Sequence, residues 1–147
     1  MPGSDLMSEA MSTEDFQQYL RPGTYVDSGH DAVIAFAHRA GGEDGTDLEK
    51  AVRLYYAVRD EFRYDPYGVE MTEIGMKGST VLEGGNGFCI TKGALMAAAC
   101  RVLGIPARLG FADVRNHMAS KRMIELMQTD LFVYHGYVEI HLEGKWV

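Results

Sequence analysis

Two cysteines, Cys89 and Cys100, and five histidines are the residues of this chain best suited to nucleophile and base chemistry. Cys89 follows the run Gly84-Gly85-Asn86-Gly87-Phe88 and opens a long apolar stretch that closes at Gly104. That pattern predicts a tight turn delivering a thiol to the mouth of a helix. The first backbone N–H groups of a helix lack internal partners and favour an anion, and such a field lowers a thiol pKa from roughly 8.5 towards roughly 3.5–7.5. Most free cysteines are instead small buried filler, so this stretch alone leaves nucleophile and filler as equal readings. Cys100 lies eleven residues on, nearly on the same helix face but about 16 Å farther along the axis, which excludes a disulfide between the two.

A thiol nucleophile needs a base, and thiol acyl-transfer enzymes take it from a histidine on a distant strand. His135 is the best placed: it stands near the start of the longest strand candidate, beside Gly136, on the face shared with polar residues. His141 has the same parity but lies about 20 Å farther along, and is expected at the surface. His117 falls in a polar loop and is a weaker rival. His38, near a helix end, is expected to interact with that helix dipole, and His30 to be a surface residue.

The elements that would hold this pair are punctuated by caps, glycines and prolines. Residues 1–13 are polar and aperiodic and read as a mobile leader, leaving 14–147 as one domain. A short helical turn over Glu14–Leu20 is broken by Arg21-Pro22-Gly23. Ser28 is placed to cap a helix over Ala32–Ala40 that stops at Gly41-Gly42. Thr46-Asp47-Leu48-Glu49 is a capping box opening an amphipathic helix, with Leu48, Ala51, Val52, Tyr55, Val58 and Phe62 at helical spacing. Tyr64 to Gly68 reads as a turn and Gly68 to Ser79 as an irregular loop.

The cysteine helix runs from Phe88 or Cys89 to Leu103. It is apolar nearly all round and so predicted to be central, and Gly93 inside it, about 1 kcal/mol worse than alanine, marks a close approach by a neighbour. Ile105 to Ala112 alternates as a strand. A polar loop over Arg115–Ser120 and a short helix over Lys121–Gln128, with Met123, Leu126 and Met127 on one side, lead to the strand Leu131–Leu142. On it, Phe132, Tyr134, Gly136, Val138, Ile140 and Leu142 share one face. Glu143-Gly144 is a two-residue hairpin turn, with Lys145-Trp146-Val147 returning. The class is α+β: a helical N-terminal half packed on an antiparallel sheet. So short a returning strand leaves its partner's ladder largely unpaired, so the natural domain is expected to continue beyond Val147.

Composition narrows the function. The 147 residues are 46% hydrophobic and 24% charged, with a net charge of -7; such a balance disfavours non-specific binding to nucleic acid or anionic membrane. No CxxC pair or Cys/His set has zinc spacing, so no metal is expected, and free thiols fit a reducing, cytoplasmic setting. No apolar run approaches the roughly 20 residues that span a bilayer.

Three blocks in order carry a resemblance: Gly87-Phe88-Cys89 leading to Ala94-Leu95; Arg101-Val102-Leu103-Gly104-Ile105-Pro106-Ala107-Arg108; and His135-Gly136-Tyr137-Val138-Glu139 through Gly144-Lys145-Trp146-Val147. Together they resemble the transglutaminase-like superfamily of papain-type thiol enzymes. The resemblance implies a papain-like core with Cys89 as nucleophile and His135 as general base. It also implies an oxyanion site at the Cys89 backbone N–H, with Asn86 as a second donor. The substrate would be a peptide or other amide, with no cofactor; the oligomeric state stays open. Tyr137 stands where many relatives have Trp. The family's third residue, usually an Asp after the Gly-x-Trp hairpin, would fall just past Val147. Its absence from the sequence keeps open a non-catalytic binding or assembly module on the same fold. An arylamine acetyltransferase ranks last, since no coenzyme-A signature is present. Hydrolysis is expected over protein cross-linking, because no calcium loop is evident. Specificity is expected to lie in residues 68–80 and 115–129, where Met123 and Met127 form either a lid over Cys89 or ordinary packing.

Overall fold

The computed structural model describes the backbone of residues 13–67, 70, 72–115 and 131–147, and the side chains of residues 16–67, 70, 72–110 and 137–147. The expected polar loop and short helix with Met123, Leu126 and Met127, together with His117, lie outside the described residues, as does nearly all of the expected leader.

Helix α1 (Thr13–Gln18) ends before Pro22, as the sequence predicts. Helix α2 (Asp31–Gly41) is capped by His30, whose Nδ1 accepts the Ala32 N–H at 3.1 Å, and not by Ser28. The reason is local: the Ser28 and His30 N–H groups bond back to Val26 and Asp27, so the chain is still turning at Ser28, which is buried there. Helix α3 (Asp47–Glu61) starts as predicted, with Thr46 Oγ1 accepting the Glu49 N–H at 3.2 Å. Its buried stripe is Ala51, Leu54 and Val58, whereas Leu48, Val52 and Tyr55 are exposed, which corrects the expected face. Leu54, wholly buried, shows that the helix lies rotated towards the 51–54–58 line, with the flanking apolar residues left at its edges.

Strand β1 (Arg63–Tyr64) pairs in parallel with β2 (Asn86–Gly87), a junction not foreseen from the sequence. Between them, helix α4 (Gly78–Gly84) begins inside the stretch expected to be loop. Glycines at both ends give it little intrinsic propensity; tertiary bonds hold it, from Gly78 N–H to Tyr25 O at 2.9 Å and from Ser79 N–H to Asp27 Oδ1 at 3.1 Å.

Helix α5 (Cys89–Val102) is the central element, followed by Gly104 at φ +81°. Leu95, Ala97, Ala98, Ala99 and Cys100 along it are wholly buried. Helices α2, α3 and α4 and the sheet strands β3 (Ala107–Arg115) and β4 (Leu131–Leu142) all pack on it. With β5 (Lys145–Trp146) these strands form an antiparallel sheet in the order β3-β4-β5. Glu143 and Gly144, both at positive φ, make the expected hairpin turn. Val138, Ile140 and Leu142 pack on the core cluster, as the alternation of β4 predicts.

On the other face of the sheet, Arg108 pairs with Glu139 directly across the strands at 2.6 Å and lies 4.0 Å from the centre of the Trp146 ring. His141 belongs to this group: expected at the surface, it is instead half-buried between Phe16 and Trp146, with ring centres 4.6 and 5.2 Å away. Helix α1 and the hairpin supply the aromatic cover that its isolated position in the sequence did not reveal. Among the described residues no helix is long and apolar enough to cross a membrane.

Candidate active site

The glycine-rich turn is held by bonds on both sides. Gly85, at φ +74°, ends α4 and donates its N–H to Val81 O at 2.8 Å. Its own carbonyl accepts from Arg63, and the Gly87 carbonyl accepts from Asp65. Gly87 is needed for space: a Cβ there would sit 2.8 Å from Thr91 Oγ1 and 2.9 Å from Val81 Cγ2. Phe88 is the N-cap of α5 and offers no side-chain acceptor, but its N–H donates to Thr91 Oγ1 at 3.0 Å. That is the half of a capping box which a hydroxyl at the third helical position can supply.

Cys89 is therefore the first residue of α5, as the sequence predicts, and it is half-buried. Its turn is tied to α3 by Lys92, whose Nζ donates to Phe62 O at 2.7 Å and Arg59 O at 3.4 Å. These are carbonyls at the C-terminal end of α3, where a cation meets unpaired acceptors and the negative end of the helix dipole. Burial holds the Lys92 ammonium below its ordinary range. Cys100 is the contrasting thiol: it is wholly buried, and burial pushes it up to about 12. A thiol of that kind is inert filler.

Cys89 opens onto a cavity of about 380 Å³ whose walls include Tyr64 of β1, Val58 and Met96 of the two helices, and Tyr137 and Val138 of β4. The Tyr64 hydroxyl is near enough to Cys89 to be influenced by both its backbone amide and its thiol. Partial burial, and then the charge of a Cys89 thiolate, raise the Tyr64 phenol above its ordinary 10.0, so it keeps its proton as a donor. Nothing local marks Tyr64 for this role, because it follows the end of α3 in what reads as a turn. Only the parallel β1–β2 pairing, which sets Tyr64 opposite Gly87, brings it beside the thiol.

His135 stands on β4 opposite Ala112, two residues before Tyr137; its side chain lies outside the described set. Tyr137 lies over Gly110 of β3, where a Cβ would need the Tyr137 ring to move aside. Asn86 is exposed on β2 and lines a second, polar cleft of about 400 Å³ with Asp65, Glu70 and Glu83; Cys89 is not among the residues of that cleft. The remaining described histidines lie elsewhere: His30 caps α2, and His38 in the last turn of α2 meets Glu43 at 2.7 Å. Among the described residues no group of three or more His, Cys, Asp or Glu side chains could hold a metal ion.

Comparison with known proteins agrees with this architecture. The structure superposes on that of a candidate cysteine protease from Cytophaga hutchinsonii with a TM-score of 0.70 and 20% identity, over 95% of this chain and 42% of that one. A second match, to a candidate protease from Parabacteroides distasonis, has a TM-score of 0.54 and 16% identity, over 89% of this chain and 24% of that one. The chain thus spans less than half the length of either structure. No curated protein matches the sequence. The family model of the transglutaminase-like superfamily matches residues 34–147. That span takes in α3, the cysteine helix and the whole sheet, and the chain belongs to the transglutaminase-like superfamily.

Proposed function

We propose that this chain carries the catalytic core of a cysteine-dependent amide hydrolase or acyl transferase, with Cys89 as nucleophile and His135 as base. The observation that carries the reading is the contrast between the thiols. Cys89 heads the central helix, opens onto a cavity and lies near a tyrosine hydroxyl, while Cys100 is sealed inside the same helix. Strand position supports the choice of base, since residue 135 lies on β4 two residues before Tyr137, a cavity wall.

In the proposed reaction His135 takes the thiol proton as Cys89 Sγ attacks the carbonyl carbon of an amide. Charge develops on the carbonyl oxygen near the start of α5, where the Cys89 backbone N–H and the Tyr64 hydroxyl are donors; Asn86 would serve only if its side chain turned in from the other cleft. The C–N bond then breaks, the amine leaves with the proton from His135, and a thioester on Cys89 remains. Water cleaves it in hydrolysis; a second amine takes the acyl group in transfer.

The test is turnover of fluorogenic peptide amides, with the acyl-enzyme trapped by acid quench and identified by mass. Cys89→Ala should abolish turnover and the acyl adduct, and His135→Ala should slow acylation about 10²–10⁴-fold. Turnover that survives Cys89→Ala would refute the proposal. Specific binding of a protein partner by wild type and Cys89→Ala alike, without amide turnover, would favour the binding-module reading.

A further inference from the structure

We propose that the cavity beside Cys89 is a subsite for an apolar side chain of the substrate, leucine-like or phenylalanine-like, next to the bond that Cys89 attacks. The inference rests on Cys89 being the nucleophile and names the substrate class of that site. The floor is aliphatic: Val58 and Met96, each 7% exposed, come from α3 and α5, and the half-buried Val138 and Ile140 come from the inner face of β4. Around the mouth stand Tyr55, Tyr64 and Tyr137, with 54%, 51% and 41% of their surface exposed. Exposed aromatic rings that surround an apolar hollow gain by covering an apolar group and can still meet a backbone with their hydroxyls.

Among the described residues, the cations that line this cavity are Lys92 and Arg59, and both already have partners. Lys92 donates to the carbonyls at the end of α3, and Arg59 pairs with Asp60 at 2.7 Å and lies over the Tyr56 ring. A carboxylate or ammonium entering the cavity would give up hydration against aliphatic walls, whereas an alkyl or aryl group gains from burial. The acidic cleft across the glycine turn, with Asp65 and Glu83, suits a different chemistry, and the thiol does not line it. The selective surface next to the nucleophile is therefore the apolar one.

Labelling of Cys89 tests this without requiring turnover. Iodoacetamide, iodoacetate and N-benzyl iodoacetamide each form an S–C bond with loss of iodide, and rates are divided by those of glutathione to remove intrinsic reactivity. The benzyl reagent should label Cys89 at least about tenfold faster than iodoacetamide, and iodoacetate should be the slowest. Two substitutions should erase the benzyl preference: Met96→Phe, which fills the floor, and Tyr55→Asp, at an exposed position where folding is not at stake. Peptide amides with Leu or Phe beside the scissile bond, on one side or the other, should exceed those with Asp or Lys there by about 10–100-fold in kcat/KM. A normalised ratio near one, or one unchanged by both substitutions, would overturn the proposal; that is also the result expected if another segment of chain or a second copy covered the cavity. Apolar-selective labelling without any amide turnover would instead sink the catalytic reading, and with it the substrate subsite, leaving only an apolar hollow beside the thiol. Turnover without side-chain preference would sink the subsite and leave the catalytic reading standing.

Discussion

Raising the pH should unfold this protein partly through Cys100, and removing that thiol should show by how much. Cys100 has no solvent exposure, and burial, followed by the charge of Asp47, raises its thiol from an ordinary 9.0 to about 12. The unfolded chain has no such burial. Stability from this group is complete below the unfolded thiol's pKa and is lost as pH climbs from about 9 towards about 12, because only the unfolded state releases the proton. Each pH unit in that window removes about 1.4 kcal/mol. Cys100→Ala, which leaves a small gap in α5, should cost about 1 kcal/mol at neutral pH. The wild-type advantage should therefore vanish between about pH 9 and 10, and by about pH 11 the variant should be more stable by roughly 2 kcal/mol. Urea unfolding of both proteins at each pH, under a reductant, gives the difference directly and cancels the other titrating groups. Parallel stability curves from pH 7 to 11 would refute the claim that this thiol is sealed and neutral in the native state.

Three further outcomes are expected, two at the site and one on the outer face of the sheet. Cys89→Ala removes the thiolate that helps to raise the Tyr64 phenol, so the Tyr64 pKa should fall but stay above 10.0, since burial is the larger cause; ring-labelled NMR titration, assigned with Tyr64→Phe, reads it, and an unchanged Tyr64 would show that the two groups do not interact. Gly87→Ala forces a Cβ against Thr91 and Val81 and should destabilise the protein by about 1–3 kcal/mol in urea unfolding, with no loss counting against the close packing of the turn. Arg108 and Glu139, each about a third exposed, should show a coupling of about 0.5–1 kcal/mol in a double-mutant cycle, weakened by salt. A coupling above about 3 kcal/mol would mean that the pair is far less solvated than its exposure implies.

The sequence announced some features because their causes are local. Thr46 caps the helix it precedes, although Glu49 meets the Thr46 hydroxyl and not its backbone N–H; Gly104 stands just past the end of a helix and Glu143-Gly144 joins two alternating segments, both as read. Gly93 was also legible as a close approach, and the neighbours are the side chains of Leu109 and Val138, 3.2 Å from where its Cβ would be. Local pattern failed where partners are distant. Helix α4 exists because Tyr25 and Asp27 bond its first turn, and the cap of α2 moved to His30 because the preceding loop turns back on itself. The conspicuous Arg108 and Glu139 of the motif blocks meet each other on the outer face of the sheet, away from the thiol's cavity, which spacing alone could not tell.

By itself, then, the sequence determined the class of fold, the cysteine at the head of a central apolar helix, and the strand that carries His135. Those are consequences of periodicity, capping and turn chemistry, which act over a few residues. Only the tertiary structure decided that Tyr64 lies near the thiol, that Lys92 ties the first turn of α5 to the end of α3, and that the hollow beside Cys89 is apolar. Each depends on groups more than twenty residues apart being brought together by packing, and no local pattern records which surfaces will meet.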